Sequence, residues 1–278
     1  MTAVLDALEP YLDLGADELK QAAGARDALE GFLQALEKGE VRAAYRDGAD
    51  WRVEARVKRG ILVGFRLGDL AQMDKGELSF VDKDTFPIRR FTPEERVRVV
   101  PGGSSVRRGA YVAPSVTVMP PAYINVGAYV GEGTLVDSHA LVGSCAQIGA
   151  RVHLSAAAQV GGVLEPVGAL PVIIEDDVLV GGNVGVYEGT IVRARAVLAA
   201  GVVLTASTRL YDLVNERVIA ASEGQPLEVP EGAVVVPGSR PASGAFAKAQ
   251  GLQIATPLIV KYRDPKTDAK AALEDALR

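Results

Sequence analysis

Few side chains in this 278-residue chain can do chemistry by type alone, since it holds two His and a single Cys. One Cys excludes an internal disulfide and any multi-Cys metal site, and two His exclude a zinc centre built on three imidazoles of one chain. No metal is expected. Cys145 has no His-plus-carboxylate arrangement around it and reads as a small wall residue rather than a nucleophile. His139 and His153 read more readily as solvated or hydrogen-bonding groups than as bases. That leaves carboxylates as the groups able to accept a proton. A net charge of −5 and a pI near 5.3 give no global attraction to nucleic acid or anionic lipid. Neither is an expected partner, whereas small anionic ligands remain open.

These residues are carried by a repeat. Aliphatics stand every six residues at Val106, Val112, Val118, Ile124, Val130, Val136, Val142, Ile148, Leu154 and Val160, then, after a slip, at Ile174, Val180, Val186, Val192, Leu198 and Leu204. Four places after each comes a second position, nearly always small, such as Ala110, Ala122, Ala128, Ala140, Ala146 and Ala158. A hexad with one large and one small inward residue and Gly, Asn or Asp near its corners fits a short strand plus a turn, three hexads closing one triangular coil. Stacked coils bury a single column of aliphatics too narrow for large rings. The composition agrees: aromatics make up only 5% of the chain beside 30 Gly, and neither Trp nor Phe occurs between 106 and 209. Asp137, one place after the inward Val136, is thereby set on the outer wall, where a carboxylate can meet a ligand or serve as a corner residue like Asn125.

Outside the repeat the pattern is conventional. Residues 1–103 read as an α+β domain, with one amphipathic helix from Asp17 to Leu36 capped by Asp17 and ended at Gly39, a strand around Trp51–Val57, a turn at Arg59-Gly60 and a strand over Ile61–Phe65. The β-helix spans 104–238, with a loop extruded near 165–173 and an insertion near 210–230; Val234–Gly238 recovers a strand. The C-terminal segment 239–278 closes on a helix from Lys266 to Arg278. Mean hydropathy is +0.15, but the longest apolar stretch, Ala196–Ala206, is about half a membrane span. Asp6 and Glu9 lie where a signal peptide would be apolar, so a cytoplasmic location is expected.

The hexads resemble the left-handed parallel β-helix of hexapeptide-repeat acyltransferases, and the handedness comes from that resemblance. Four segments are narrower: GEGTLVD at 131–137, VGSCAQIG at 142–149, VHLS at 152–155 and GGVLEP at 161–166, flanked by weaker matches at 39–42, 57–62, 98–101 and 259–261. Together they resemble the tetrahydrodipicolinate N-succinyltransferases of lysine and diaminopimelate biosynthesis. The resemblance implies transfer of succinyl from succinyl-CoA to the amino group of 2-amino-6-oxopimelate, with CoA as co-substrate and a homotrimer holding sites between subunits. It places the general base or amine-orienting carboxylate on Asp137 and a substrate-carboxylate cation on Arg98. Many relatives carry a second acid three places before the Glu188-Gly189 pair, where this chain has Gly185; Glu188 or Glu165 then takes that role, with Glu188 favoured, or one carboxylate suffices. Backbone N–H groups around Gly182, Ala200 and Gly201 are candidates for the pantetheine amides, and Arg240 and Lys261 for the CoA phosphates.

Counting hexads puts Asp137 on the second coil and Glu188 on the fifth, three coils or roughly 14 Å apart, so a site using both must lie between subunits. The nearest alternative is tetrahydrodipicolinate N-acetyltransferase. The longer N-terminal domain and the insertion beginning at Tyr211 favour the succinyl enzyme. A non-catalytic β-helix scaffold is a further alternative. A γ-type carbonic anhydrase fits badly with two His.

Overall fold

From Arg98 onward the chain winds in two-residue strands separated by turns, and the computed structural model describes residues 2–264 except 75 and 77. The strands stack into three parallel faces. Face one carries Arg98–Val99, Thr117–Val118, Leu135–Val136, His153–Leu154, Leu179–Val180 and Val197–Leu198. Face two runs from Ser105–Val106 through Leu141–Val142, Gln159–Val160 and Gly185–Val186 to Val203–Leu204. Face three runs from Tyr111–Val112 to Glu228–Val229. Each strand pairs in phase with the one a full coil away, as in Val106↔Ile124, Val136↔Leu154 and Val160↔Val186. The hexad reading is therefore the fold, a three-sided parallel β-helix.

Register and core explain each other. All sixteen aliphatics of the six-residue repeat are buried, each at 3% exposure or less, and they form one continuous cluster with the small residues. Each contributes roughly 1.5–3 kcal/mol by leaving water. A one-residue slip would turn the whole column outward, so the aliphatic period alone sets the pairing. The extruded loop leaves after Gln159–Val160 on face two and returns at Ile173–Ile174 on face three, the next face in turn.

The first rung is Arg98–Val99, so the β-helix begins a few residues before 104. Before it, three sequence expectations give way, the first being the strand around Trp51–Val57, which ends at Val53. The single helix over 17–36 is two, Ala16–Gln21 and Ala25–Glu37, because Gly24 adopts a left-handed φ of 81° between them; Gly15, not Asp17, is the N-cap. The strand expected at Ile61–Phe65 and the turn at Arg59-Gly60 are instead one helix, Ala55–Leu67, whose face of Val57, Ile61, Gly64 and Leu67 is buried. The glycines misled: a Cβ on Gly60 would stand 2.5 Å from Leu8, and one on Gly64 2.5 Å from Phe86, so both mark close packing rather than a turn. This helix packs on the β-helix through a core that includes Val126 and Cys145 at the corner between faces two and three.

At the other end, the 210–230 insertion is a hairpin, Arg209–Asp212 with Arg217–Ala220. Ala233–Pro241 then pairs antiparallel with Gln253–Tyr262, extending the sheet of face one. The helix expected at Lys266–Arg278 lies outside the described residues. No helix among the described residues is long and apolar enough to cross a membrane.

Candidate active site

Val136 is fully buried and the chain turns directly after it from face one to face two. Asp137 is left half-buried at that corner. Its Oδ1 accepts the Ser138 N–H at 2.7 Å, the same local bond that Asn125 makes to Val126 at 2.8 Å. The corner role and the ligand role thus divide between two oxygens, since Oδ2 has no partner among the described residues. Arg98, exposed on face one, makes no ion pair or side-chain hydrogen bond among the described residues, unlike Arg151 with Asp177 or Arg193 with Glu175 and Glu228. Arg98 aligns with Thr117 and Thr117 with Leu135, two residues before Asp137. Two ladder steps and two strand residues put the Cα atoms about 12 Å apart. A long Arg and a short Asp can close on the two ends of a small amino dicarboxylate across that gap.

Below Asp137 the same corner repeats as Ser155, Gly181 and Ala199, three ladder steps spanning roughly 14 Å. The N–H groups of Gly182 and Ala200 there make no hydrogen bond among the described residues, whereas the Gly201 N–H donates to Gly182 O at 3.0 Å. Of the three backbone positions expected to hold amides, two are open and Gly201 is spent on the corner of the adjoining coil. This edge leads to a cleft of about 710 Å³ between Gly201–Arg209 and the C-terminal strand pair, lined by Ser207, Arg240 and Thr256. Lys261 is elsewhere. It pairs with Asp264 at 3.0 Å and aligns with Val234, six strand residues from Arg240 and so about 20 Å away. One phosphate cannot be gripped by both within a chain.

Glu188 stands across face two from Asp137. The ladder Leu141↔Gln159↔Gly185 makes the gap two steps, about 10 Å along the axis, plus the width of the face. The hexad count gave three steps because it ignored that Asp137 already turns onto the third coil. Glu188 sits at a corner with φ 52° and its Oε2 accepts the Ala206 N–H at 2.8 Å. It borders a cleft of about 900 Å³ between Trp51–Val53, the extruded loop with Glu165, Tyr187 and residues 221–227. The loop is pinned by the fully buried Lys58, whose Nζ donates to Ala169 O at 2.5 Å; burial holds that amine below the usual lysine range. Sequence reasoning missed Lys58 and Tyr187, since nothing in the hexads says what packs on their outer side.

The other candidates resolve by geometry. Burial pushes the Cys145 thiol up to about 12, which removes the thiolate a nucleophile needs. His139 is an exposed corner residue with φ 63°. His153 lies on the outer side of face one, between Leu135 and Leu179 in the ladder.

Similarity to known proteins gives the family. The profile described as "Tetrahydrodipicolinate N-succinyltransferase N-terminal" matches residues 12–67, and "Hexapeptide repeat of succinyl-transferase" matches 171–206. A 2,3,4,5-tetrahydropyridine-2,6-dicarboxylate N-succinyltransferase of Azoarcus sp. is 42% identical over 92% of this chain and 90% of its own length. That of Rhodopseudomonas palustris is 40% identical over 99% of both. The chain belongs to the tetrahydrodipicolinate N-succinyltransferase family. Membership extends over the N-terminal domain as well as the repeat, which a general β-helix scaffold would not require. Among the described residues, Asp137 keeps one carboxylate oxygen and Arg98 its guanidinium without a partner.

Proposed function

We propose that this chain transfers succinyl from succinyl-CoA to the amino group of ring-opened tetrahydrodipicolinate, 2-amino-6-oxopimelate. Curated relatives at 40–42% identity over nearly the whole chain carry that activity in their names. The observation that carries the reading here is that Asp137 Oδ2 and the Arg98 guanidinium, with Cα atoms about 12 Å apart, both lack a partner among the described residues. Arg98 binds one substrate carboxylate as a charge-assisted fork. Asp137 orients the amine and accepts its proton as nitrogen attacks the thioester carbon. The tetrahedral intermediate then expels the CoA sulfur, which leaves as the thiol once protonated. Gly182 and Ala200 offer N–H donors along the corner for the pantetheine arm, and Arg240 faces the cleft where phosphates would end.

Glu188 is the second carboxylate of this reading, lining the cleft with Oε2 fixed to the Ala206 N–H and Oε1 without a partner among the described residues. Its distance from Asp137 across face two supports a homotrimer in which one subunit's Asp137 meets another's fifth coil. A particle of about three times 29.2 kDa is expected in light scattering. The reading includes a cytoplasmic location.

The test is thiol release with the dicarboxylate acceptor and either acyl-CoA. Faster turnover with succinyl-CoA supports the reading, faster turnover with acetyl-CoA makes the protein an N-acetyltransferase, and no release with either removes both.

A further inference from the structure

Gly161 aligns with Tyr187 across adjoining coils of face two, Gly185 stands two residues before Tyr187 in the chain, and neither glycine has the positive φ that would call for glycine. What excludes a side chain at both is one ring. A Cβ on Gly161 would stand 2.8 Å from Tyr187 Cδ1, and one on Gly185 would stand 2.5 Å from Cε2 and 2.9 Å from both Cζ and Oη. Tyr187 is thus laid flat on a floor cleared for it, with its hydroxyl over Gly185. The ring lines the cleft of about 900 Å³ beside Glu188, Thr205 and the extruded loop. Its hydroxyl has no hydrogen-bond partner among the described residues, while the neighbouring Glu188 has committed one oxygen to Ala206.

The ring is half-buried against two glycines, and its O–H, with no acceptor among the described residues, is open to the cleft that the ring lines. Packing alone would be served by Phe. We propose that the Tyr187 hydroxyl is a hydrogen-bond donor of the acyl-transfer site, directed at an oxygen of the bound substrates. The inference rests on the succinyl-transfer reading. The phenol keeps its proton throughout, so it adds no acid or base step; it stabilises negative charge on the oxygen it meets. It also gives physical content to Gly185, where the sequence departs from the acidic pattern of many relatives: the space of that side chain is filled by the Tyr187 ring, and a neutral donor stands over it.

Two variants test this by different routes. Tyr187→Phe keeps the ring and removes only the hydroxyl. Gly185→Ala is compatible with the local backbone but must swing the ring off its floor. Both are measured for thiol release with succinyl-CoA and the dicarboxylate acceptor, with the melting temperature recorded alongside. The expected result is a fall in kcat/KM of about 10–100-fold in each, with the Phe variant melting as wild type. Rates within about twofold of an active wild type in both variants would overturn the proposal. So would a fall in Tyr187→Phe matched by a lower melting temperature, which assigns the hydroxyl to the fold. An inactive wild type would instead refute the succinyl-transfer reading, so the two failures are distinguishable.

Discussion

Replacing Arg98 by Ala isolates substrate binding from folding. The guanidinium is exposed and holds no partner among the described residues, while the backbone N–H of Arg98 stays bonded to Val116 O at 2.9 Å in either variant. Nothing in the fold is left unsatisfied, so the melting temperature is expected to stay within about 1 °C, the range of a surface change. The functional loss is set by one charge-assisted bond, about 1.5–3 kcal/mol. Exposure of Arg98 holds the value to the lower half of that range. At about 1.4 kcal/mol per factor of ten, this is a 10–40-fold loss. It falls on the acceptor KM, because the distal carboxylate is bound equally before and during acyl transfer. The KM for succinyl-CoA is expected to be unchanged. Arg98→Lys recovers part of the loss, since it keeps the charge but not the planar fork. Steady-state kinetics with each substrate varied in turn decides the matter. An unchanged acceptor KM, or a loss confined to the acyl-CoA KM, would refute the placement of the dicarboxylate between Arg98 and Asp137.

If the site is shared between chains, mixing Asp137→Asn chains with Glu188→Gln chains should regain activity that neither variant has alone, because some interfaces then pair intact residues; no regain in subunit-exchanged samples argues against a site shared between chains. Cys145, buried and with its thiol at about 12, should resist iodoacetamide in the native state and react only after unfolding, as followed by mass spectrometry. Burial alone would raise the Asp212 carboxyl, but hydrogen bonds from Asn215, Tyr262 and Arg217 outweigh it and hold it at about 2, below an unfolded value near 3.9. Its contribution to stability is therefore complete above about pH 4 and lost as pH falls toward 2. Urea midpoints should drop more steeply over that window in wild type than in Asp212→Asn.

The β-helix was legible because its core admits only one large aliphatic per six residues, so Val106 to Leu204 announce coil length, phase and inward direction together. Asp137 followed from the same logic, as the first residue outside Val136. The N-terminal domain was less legible where glycine served packing. Gly60 looks like a turn residue until Leu8 and Phe32 are seen against it, and Ile61–Phe65 looks like a strand until Phe86 is seen against Gly64. The same blindness hid Tyr187, because Gly161 and Gly185 state that something lies close without saying what. That Lys261 and Arg240 cannot share one phosphate was not legible, because their distance depends on the antiparallel pairing of Ala233–Pro241 with Gln253–Tyr262, a long-range register that local pattern does not contain.

Thiol release by Asp137→Asn, with succinyl-CoA and the dicarboxylate at saturating concentration, bears hardest on the assignment of the proton acceptor. Asn keeps an oxygen able to accept the Ser138 N–H, so the corner should hold and the circular dichroism and melting temperature should match wild type. The predicted result is a kcat lower by about 10²–10⁴-fold, the usual contribution of a general base. A wild-type rate from that folded variant would contradict the role given to Asp137.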